Sequence, residues 1–240
     1  MITNGVAAIT IQYVNESTLG INATQRISLK LGIRVANAYP IKAARLFFFM
    51  KFTNFNGSLF IYTGKQYYPY YYIEIEKYMS IKNEIIWNYD SSGVQSKTKY
   101  GSLYEPLIWS TKHSKNYTFN KEYAMVEAKT GSKRGLIDYR KNPPQPYNTT
   151  KIDGDVWNYT RVRYKMKEYT KHPTQKPLSI CDRIIQVHSN ENDLVYIPFA
   201  GSGSEIESCI RNNRNYIATE LNNDYIEEII IPRINELNRQ

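Results

Sequence analysis

The sequence predicts an α/β fold, a mostly parallel sheet flanked by helices, and two observations carry this prediction. The last third of the chain alternates helix and strand patterns, as parallel βαβ units do. Within it, the apolar run Leu194–Ile197 leads into a glycine turn and then into a helical stretch, which is the layout of a loop that binds a nucleotide-like ligand. A length of 240 residues fits one domain, or one domain with an insertion.

Strand and helix patterns follow one another along most of the chain. Four segments in the first half have strand patterns, namely 7–14, 58–62, 83–88 and 105–110. Between them, 70–79 has the pattern of a helix, whereas 15–44 shows no clear periodicity. In the last third the predicted order is helix 178–187, strand 194–197, helix 204–211, strand 216–220 and helix 224–237.

The composition argues against membrane spans, disulfides and metal sites. No apolar run approaches the roughly 18 residues that crossing a bilayer requires, and the first residues lack the pattern of a signal peptide. Cys181 and Cys209 are the two cysteines, and with the three histidines they show no metal-ligand spacing. We therefore expect a soluble, cytoplasmic protein with no membrane association and no bound metal.

The positive charge of the chain is concentrated in its middle third. Residues 91–172 contain 16 Lys and Arg against 7 Asp and Glu, which leaves 15 of each sign in the rest of the chain. Such a basic region is typical of a surface that faces nucleic acid phosphates, although a solvated basic face without a partner is the alternative. The candidate nucleic-acid contacts are Lys97, Lys99, Lys133, Arg134, Arg140, Lys141, Arg161 and Arg163.

The glycine turn after the strand at 194–197 is the candidate cofactor loop. Gly201 and Gly203 allow the backbone to turn sharply into a helix and to approach a ligand closely. Glu220 follows Gly203 by 17 residues, at the end of the next predicted strand. An acidic residue there accepts hydrogen bonds from ribose hydroxyls in nucleotide-binding folds. A simple turn without a ligand remains the alternative.

Two six-residue segments carry a family resemblance, His172-Pro173-Thr174-Gln175-Lys176-Pro177 and Pro198-Phe199-Ala200-Gly201-Ser202-Gly203. With the residues around them, from about 140 to 234, they resemble the C-terminal part of the beta-group DNA amino-methyltransferases. These enzymes transfer a methyl group from S-adenosylmethionine to adenine N6 or cytosine N4. The resemblance implies a Rossmann-like methyltransferase fold with a basic recognition insertion. It also implies S-adenosylmethionine as the cofactor and double-stranded DNA as the partner.

The resemblance also implies cofactor contacts and a division of the chain. The implied contacts are Thr174, Gln175 and Lys176 in the first segment, Phe199, Ala200, Gly201, Ser202 and Gly203 in the second, and Glu220 for the ribose. By the same comparison, 1–90 is the N-terminal, catalytic-side part of the domain. Residues 91–171 are then the basic target-recognition region, and 172–240 are the part that binds S-adenosylmethionine.

One position departs from the family. The family usually has an aspartate before Pro-Phe, where its carboxylate binds the ammonium of the cofactor, and this chain has Ile197. We expect Glu205, two residues past the last glycine, to supply the charge instead. The alternative is that Glu205 only favours the first turn of the following helix, where acidic side chains are stabilising.

The catalytic motif of the family, Asp/Asn/Ser-Pro-Pro-aromatic, is not found. It is expected within the first 50 residues, where the nearest fragment is Asn37-Ala38-Tyr39-Pro40. Asn142-Pro143-Pro144-Gln145 has three of the four residue types, but it lies just before the cofactor segment, whereas the family's motif is expected before the strand at 58–62. The catalytic residues therefore stay unassigned. An altered N-terminus, a degenerate motif and a loss of activity each account for this absence.

The function predicted by the resemblance is methyl transfer to an exocyclic amino group of DNA, with adenine N6 preferred. Cytosine N4 is the close alternative, and a catalytically inactive DNA-binding and cofactor-binding protein or fragment is the rival class. A nicotinamide-dependent dehydrogenase is disfavoured because the loop lacks the Gly-x-Gly-x-x-Gly spacing. A restriction endonuclease is a candidate system partner, and the chain is expected to be a monomer or a homodimer.

Overall fold

A computed structural model describes residues 6–12, 53–89, 97–129 and 134–239, with the backbone alone for 6–12 and 53–55. In these ranges the strands are β1 (Val6–Gln12), β2 (Thr53–Tyr62), β3 (Ser80–Asn88), β4 (Tyr104–Thr111), β5 (Met125–Glu127), β6 (Ile137–Asp138), β7 (Gln145–Pro146), β8 (Thr150–Ile152), β9 (Val156–Asn158), β10 (Leu194–Ile197) and β11 (Asn215–Ala218). The helices are α1 (Tyr68–Glu76), α2 (Leu178–His188), α3 (Ser204–Arg211), α4 (Asn223–Tyr225) and α5 (Ile231–Leu237). A 3₁₀ turn spans Lys121–Ala124 and a π-helical turn spans Ile226–Ile230.

Seven strands form one mixed sheet in the order β11-β10-β1-β2-β4-β3-β9. Strands β11, β10, β1 and β2 are parallel to one another. Strand β4 runs antiparallel to both of its neighbours, β2 and β3, and β9 joins the far edge parallel to β3. The predicted α/β fold with a mostly parallel sheet is therefore confirmed.

In the middle of the sheet, the neighbouring strands β10 and β1 are followed by chain segments that lead towards opposite edges of the sheet. From β10 the chain crosses through α3 to β11 on one side, and from β1 it continues to β2 on the other. In open α/β sheets, ligands bind outside the carboxyl ends of the strands at such a switch point. The topology therefore places the expected ligand site at the ends of β10 and β1, next to Ile197 and Gln12.

Alternate residues of β2 enter two different hydrophobic layers, as the two-residue period of a strand requires. Phe60 and Tyr62 pack with Ile180 and Ile184 of α2 on one face. On the other face, Leu59 and Ile61 pack with residues of α1 such as Ile75. A third cluster holds α3 against β10 through buried aliphatic side chains. Helices therefore cover both faces of the sheet within the described ranges.

The basic region between 91 and 171 contributes strands to this sheet. Its strand β4 is an inner strand, and β9 brings Trp157 into the core at 5% exposure. What projects from the sheet are two short antiparallel ribbons, β5 with β8 and β6 with β7. The basic region, expected from the resemblance to be an insertion, is thus partly core, and its strand β9 carried no signal because a three-residue strand is too short to show a period.

The last predicted helix is interrupted. Residues 223–237 are helical, but the π-helical turn Ile226–Ile230 separates α4 from α5. Pro232 stands in the first turn of α5 and has no amide hydrogen, so the regular hydrogen-bond ladder cannot run through it. None of the helices in the described ranges has the length and apolar character that a bilayer crossing requires.

Candidate functional site

The glycine loop after β10 has the backbone conformation that its sequence predicts. Gly201 and Gly203 have φ values of 53° and 72°, in the left-handed region that favours glycine. The Gly203 amide donates a hydrogen bond of 2.7 Å to the Ala200 carbonyl, and α3 begins at the next residue. The loop therefore turns tightly from the end of β10 into the N-terminus of α3, where free amides favour an anionic or polar ligand group.

Glu220 lies beside this loop, just past the end of β11. One of its carboxylate oxygens accepts a hydrogen bond of 2.7 Å from the Gly201 amide. The other accepts bonds of 2.8 and 2.9 Å from the amides of Leu221 and Asn222. An ionised carboxylate has about four acceptor sites, so these three bonds fix its position and leave acceptor capacity for a hydroxyl donor.

His172 covers the glycine loop from the first of the two motif segments. A Cβ added at Gly201 would lie 3.0 Å from both Cε1 and Nε2 of the imidazole, so only glycine fits beneath the ring. The ring also meets Tyr225 edge-on, with the centroids 4.7 Å apart. Burial lowers the pKa of His172, and among the residues that the structure describes its buried Nδ1 atom has no hydrogen-bond partner. The fold therefore brings the two motif segments into direct contact.

The three predicted contacts of the first segment have different surroundings. Thr174 is exposed. The Gln175 side chain accepts bonds of 2.8 and 2.9 Å from the amide and hydroxyl of Thr170, and donates one of 2.5 Å to the Glu168 carbonyl. Gln175 therefore shapes the segment that leads to His172, and its amide is occupied within the protein.

Lys176, by contrast, points towards the sheet. Its ammonium is 2.9 Å from a carboxylate oxygen of Glu105 at the start of β4. The same ammonium lies 4.9 Å from the ring centroid of Tyr62 and 5.5 Å from that of Trp87. The Lys176 side chain is only 4% exposed. A buried cation with one carboxylate partner and two aromatic faces is held in a fixed position.

Glu205 lies in the same buried region as Lys176. It is 3% exposed, and burial raises the pKa of its carboxyl, while the charges of Lys176 and Arg233 act in the opposite direction. Burial raises the pKa of Tyr62 and the charge of Glu205 adds to this, and the Tyr62 hydroxyl is buried with no hydrogen-bond partner among the described residues. Ile197, at the position of the family's aspartate, packs in the aliphatic cluster around β10 instead.

Arg233 of α5 holds the glycine loop in place through hydrogen bonds. It donates bonds of 2.6 Å to the Ser202 carbonyl and 3.2 Å to the Ser204 hydroxyl. Its remaining nitrogens bind the Glu207 carboxylate at 2.7 Å and the Glu168 carbonyl at 3.2 Å. Because Arg233 satisfies Glu207, the charge of Glu205 is the one left without an ion-pair partner among the described acidic side chains of α3.

Most of the candidate nucleic-acid contacts are on the surface, but they do not form one cluster by position in the fold. Lys97, Lys99, Arg134 and Arg163 are exposed, whereas Lys133 lies outside the described residues. Arg140 is bound through two nitrogens to Asp138, at 2.8 and 3.1 Å, and Lys141 beside it is half-buried. Arg161 lies over the ring of Tyr89, 4.8 Å from its centroid. All eight remain predictions.

Several residues near the site carried no signal of their own in the sequence. Glu105 and Tyr62 meet Lys176 only because the register of the sheet brings them together. Lys65 follows the end of β2 and lies 3.4 Å from the ring centroid of Tyr104. The one signal in the sequence was that these residues lie at the ends of predicted strands, where open α/β sheets bind their ligands. Asn142 is in the exposed connection of the β6–β7 ribbon, outside the main sheet.

The region where the family's catalytic motif is expected follows β1. That strand lies between β10 and β2, so its carboxyl end adjoins the cofactor loop. The fragment Asn37-Ala38-Tyr39-Pro40 and the apolar run at 46–50 lie outside the residues that the structure describes. The carboxyl end of β1 therefore adjoins the cofactor loop, and the catalytic residues stay unassigned.

The sequence is similar to known proteins over most of its length. The family model described as "DNA methylase" matches residues 41–231. The chain is 51% identical over 171 residues to the DNA adenine methyltransferase YhdJ of Escherichia coli strain K12, which covers 71% of this chain and 58% of that protein. It is 32% identical to the type II methyltransferase M.HpaI of Haemophilus parainfluenzae over 72% of this chain and 52% of that one. The chain thus spans just over half the length of these curated relatives.

Solved structures share the fold. The complex of M1.HpyAVI with SAM aligns with a TM-score of 0.64 and 22% identity, covering 97% of this chain and 90% of that one. The cytosine-N4-specific PvuII DNA methyltransferase aligns with a TM-score of 0.64 and 12% identity, covering 98% and 86%. At these identities the similarity shows the Rossmann-like methyltransferase fold, and it does not by itself assign an activity.

Proposed function

The chain belongs to the DNA methylase family, whose model matches 41–231, and from this premise we propose that it transfers a methyl group from S-adenosylmethionine to adenine N6 in double-stranded DNA. The observation that carries the proposal is the contact between the two motif segments. His172 closes over Gly201, and the Gly201 amide binds Glu220, at the switch point of the sheet. The choice of adenine is supported by the 51% identity to a DNA adenine methyltransferase.

The residues fit S-adenosylmethionine as the cofactor. Glu220 retains acceptor capacity for ribose hydroxyls, and beside the same loop the buried Nδ1 of His172 has no hydrogen-bond partner within the described ranges. Phe199 and the loop Ala200–Gly203 line the approach to the N-terminus of α3. When bound, the cofactor supplies an electrophilic methyl group on its sulfonium. The protein's part is to orient the acceptor amine towards that methyl group and to exclude water.

The balance of charge supports Glu205 as the partner of the cofactor's ammonium. Around the buried ammonium of Lys176 there are two carboxylates, Glu105 and Glu205, and Lys176 is ion-paired with Glu105. A buried carboxylate requires a compensating positive charge, and a cation from the ligand would supply that charge to Glu205. The buried, unpartnered hydroxyl of Tyr62 is a second polar group in the same place. We propose Lys176 and Glu205 as cofactor-binding residues, and Gln175 as a residue that positions them.

DNA is the proposed partner on the basic side of the molecule. The surplus of positive charge in 91–172 suits phosphate contacts, which position the duplex without reading its sequence. A restriction endonuclease is a candidate system partner, because M.HpaI, a relative, is named a type II methyltransferase. We propose a cytoplasmic location, a reducing compartment that suits Cys181 and Cys209, both free and buried.

A catalytically inactive, cofactor-binding and DNA-binding protein is the second candidate. It is favoured by one observation, the lack of an Asp/Asn/Ser-Pro-Pro-aromatic motif in the sequence. That motif orients the amine of an extruded base, and without it the methyl group has no positioned acceptor. Cytosine N4 is the third candidate, since the family includes enzymes for both bases.

The test combines binding and transfer. The purified chain is titrated with S-adenosylmethionine in a calorimeter and then incubated with the methyl-labelled cofactor and DNA of varied sequence. Cofactor binding with label on adenine N6 supports the proposal, and label on cytosine N4 selects the alternative base. Binding of cofactor and DNA without transfer supports the inactive protein. Absence of cofactor binding contradicts all three. Gly201→Ala serves as the control that disrupts the loop.

A further inference from the structure

The edge of the sheet that faces the cofactor loop continues beyond it. In the parallel pairing of β1 with β2, Gln12 lies opposite Tyr62, so the end of β2 is beside the end of β1. Farther along, Asn88 at the end of β3 lies opposite Tyr104 at the start of the antiparallel β4. The ends of β2 and β3 and the start of β4 therefore share one edge with the loop that follows β10. Two strand spacings, about 10 Å, separate β10 from β2 on this edge.

Lys65 and Tyr104 stand together on this edge. The Lys65 ammonium is 3.4 Å from the ring centroid of Tyr104, and the Tyr104 side chain is 39% exposed. Burial lowers the pKa of Lys65. No described carboxylate forms an ion pair with Lys65, so its charge is available to an outside anion. The pair thus places a cation over one face of an exposed aromatic ring and leaves the other face of the ring for a base.

A second pair of the same kind flanks the first. The Arg161 guanidinium lies 4.8 Å from the ring centroid of Tyr89, which directly follows β3. Glu105, the acidic residue next to Tyr104 on β4, has its charge compensated by Lys176 at 2.9 Å. The edge is therefore basic and aromatic, a combination that suits nucleic acid strands with unstacked bases.

We propose that Lys65 and Tyr104 bind the target nucleotide of the DNA substrate, the ammonium at its backbone phosphate and the ring against its extruded base. This inference rests on the proposed function. An enzyme that modifies a base amine has to take the base out of the stack, and aromatic rings are what hold such a base. In this sequence the aromatic of the family's tetrapeptide is not found, and Tyr104 presents an exposed ring on the same edge of the sheet as the cofactor loop, three strands from β10.

The experiment measures DNA binding by fluorescence anisotropy, with mixed-sequence single-stranded and double-stranded oligonucleotides over a range of salt concentrations. Lys65→Ala should lower the slope of log K against log salt by about 1, since one phosphate contact is lost. Tyr104→Leu should weaken single-strand binding by about 5- to 100-fold, the value of one stacked base, whereas Tyr104→Phe should stay within about twofold of the wild type.

The opposite edge of the sheet supplies matched controls. Lys82, near the start of β3, lies 4.6 Å from the ring centroid of Tyr117 and forms a similar cation–aromatic pair away from the cofactor loop. Tyr78, before β3, is 41% exposed. Lys82→Ala and Tyr78→Leu should leave the salt slope and the affinity unchanged. Thermal unfolding and cofactor titration of every variant separate a folding defect from a loss of DNA contact.

Each outcome bears on a different statement. If the wild type binds DNA and the variants at Lys65 and Tyr104 behave like those at Lys82 and Tyr78, this inference is overturned and the proposed function stands. Equal weakening by Tyr104→Leu and Tyr104→Phe would also overturn the stacking role, because the phenyl ring stacks as well. A wild-type chain that binds cofactor but no DNA would overturn the proposed function together with the inference.

Discussion

The ammonium of Lys176 and the carboxylate of Glu105, 2.9 Å apart, connect the cofactor segment to the start of β4. The two residues are 71 positions apart in the chain. The same ammonium lies against the aromatic rings of Tyr62 and Trp87. This ion pair fixes the segment proposed to bind the cofactor to the strand that begins with Tyr104, the residue proposed to contact DNA.

Removing one member of this pair should have an asymmetric effect. Glu105→Leu leaves a 4%-exposed ammonium without its partner, and we expect a loss of about 2–3 kcal/mol, below the 3–5 kcal/mol of a fully buried pair because the Glu105 side chain is 29% exposed. Lys176→Met leaves a carboxylate that water can reach, so we expect about 1 kcal/mol. Urea unfolding measures both. The opposite order would contradict the assigned burial.

The glycine under His172 should resist substitution more than a glycine with the same backbone but free space. Gly201→Ala places a Cβ 3.0 Å from the imidazole in a left-handed conformation, whereas Gly135 has a φ of 60° with nothing within 4 Å of its Cβ position. Both variants pay about 1–2 kcal/mol for the backbone, and Gly201→Ala should lose more.

Calorimetric titration with S-adenosylmethionine completes this comparison. Gly201→Ala should weaken binding at least tenfold, and Gly135→Ala should leave it unchanged. Adding His172→Ala to Gly201→Ala should recover stability, because it removes the colliding ring. Equal losses for the two glycine variants would show that the imidazole contact is unimportant.

Glu205→Gln should stabilise the free protein and weaken cofactor binding. Burial raises the pKa of Glu205 above its ordinary 4.5, so the folded state holds a proton that the unfolded state releases, and stability falls as pH rises through the folded pKa. Glu205→Gln has no group that ionises at this position, so its stability does not fall with pH in this way. We expect its advantage in Tm to appear above pH 4.5 and to amount to about 2–4 °C per kcal/mol relieved.

Binding should move in the other direction. If the carboxylate of Glu205 faces the ammonium of the cofactor, removing its charge should cost at least about tenfold in affinity. Glu122→Gln, on an exposed side chain of the 3₁₀ turn, is the control. Unchanged affinity in Glu205→Gln would reject Glu205 as a cofactor-binding residue and leave it as part of the first helical turn.

His188 should make the protein sensitive to acid. It is buried among Phe60, Trp109 and Phe119, and burial lowers its pKa from 6.5 to about 3. Between these values the unfolded state takes up a proton and the folded state does not, so stability falls as pH falls from about 6.5 towards 3. The slope from this residue is at most about 1.4 kcal/mol per pH unit.

His188→Phe tests this assignment. The variant should be somewhat less stable at pH 7, by about 1 kcal/mol, because the hydrogen bond between the imidazole and the Thr118 backbone is lost. Its free energy of unfolding should nevertheless depend less on pH between 4 and 6.5 than that of the wild type. Parallel curves for the two proteins over this range would show that other groups cause the acid sensitivity.

The local parts of this fold could be predicted from the sequence, because their signals are local. The bounds of β10 and α3 agree with the predicted 194–197 and 204–211, and the glycine turn between them has the expected left-handed residues. A short apolar run before glycines predicts a strand, and an amphipathic run after them predicts a helix. The agreement at β1 has the same origin, an alternating pattern of sufficient length.

The parts that depend on sheet register could not be predicted. Glu105 meets Lys176, and Lys65 meets Tyr104, only through the pairing of β2, β3 and β4, which no single segment encodes. Strand β9 has three residues, too few for a period, and joins the sheet by packing Trp157. The hydrogen bonds of the Gln175 side chain to Thr170 and Glu168 could not be predicted either, because the orientation of this side chain depends on how the loop folds.

The position of β1 has a consequence for the order in which the protein is made and folds. Its seven residues near the start of the chain pair on one side with β2 and on the other with β10, whose residues are synthesised almost 190 positions later. A nascent chain that emerges from the ribosome therefore holds an apolar strand with one open flank until β10 has been synthesised. Such long-range parallel pairing is slow to form, and the waiting strand is a natural ligand for a chaperone.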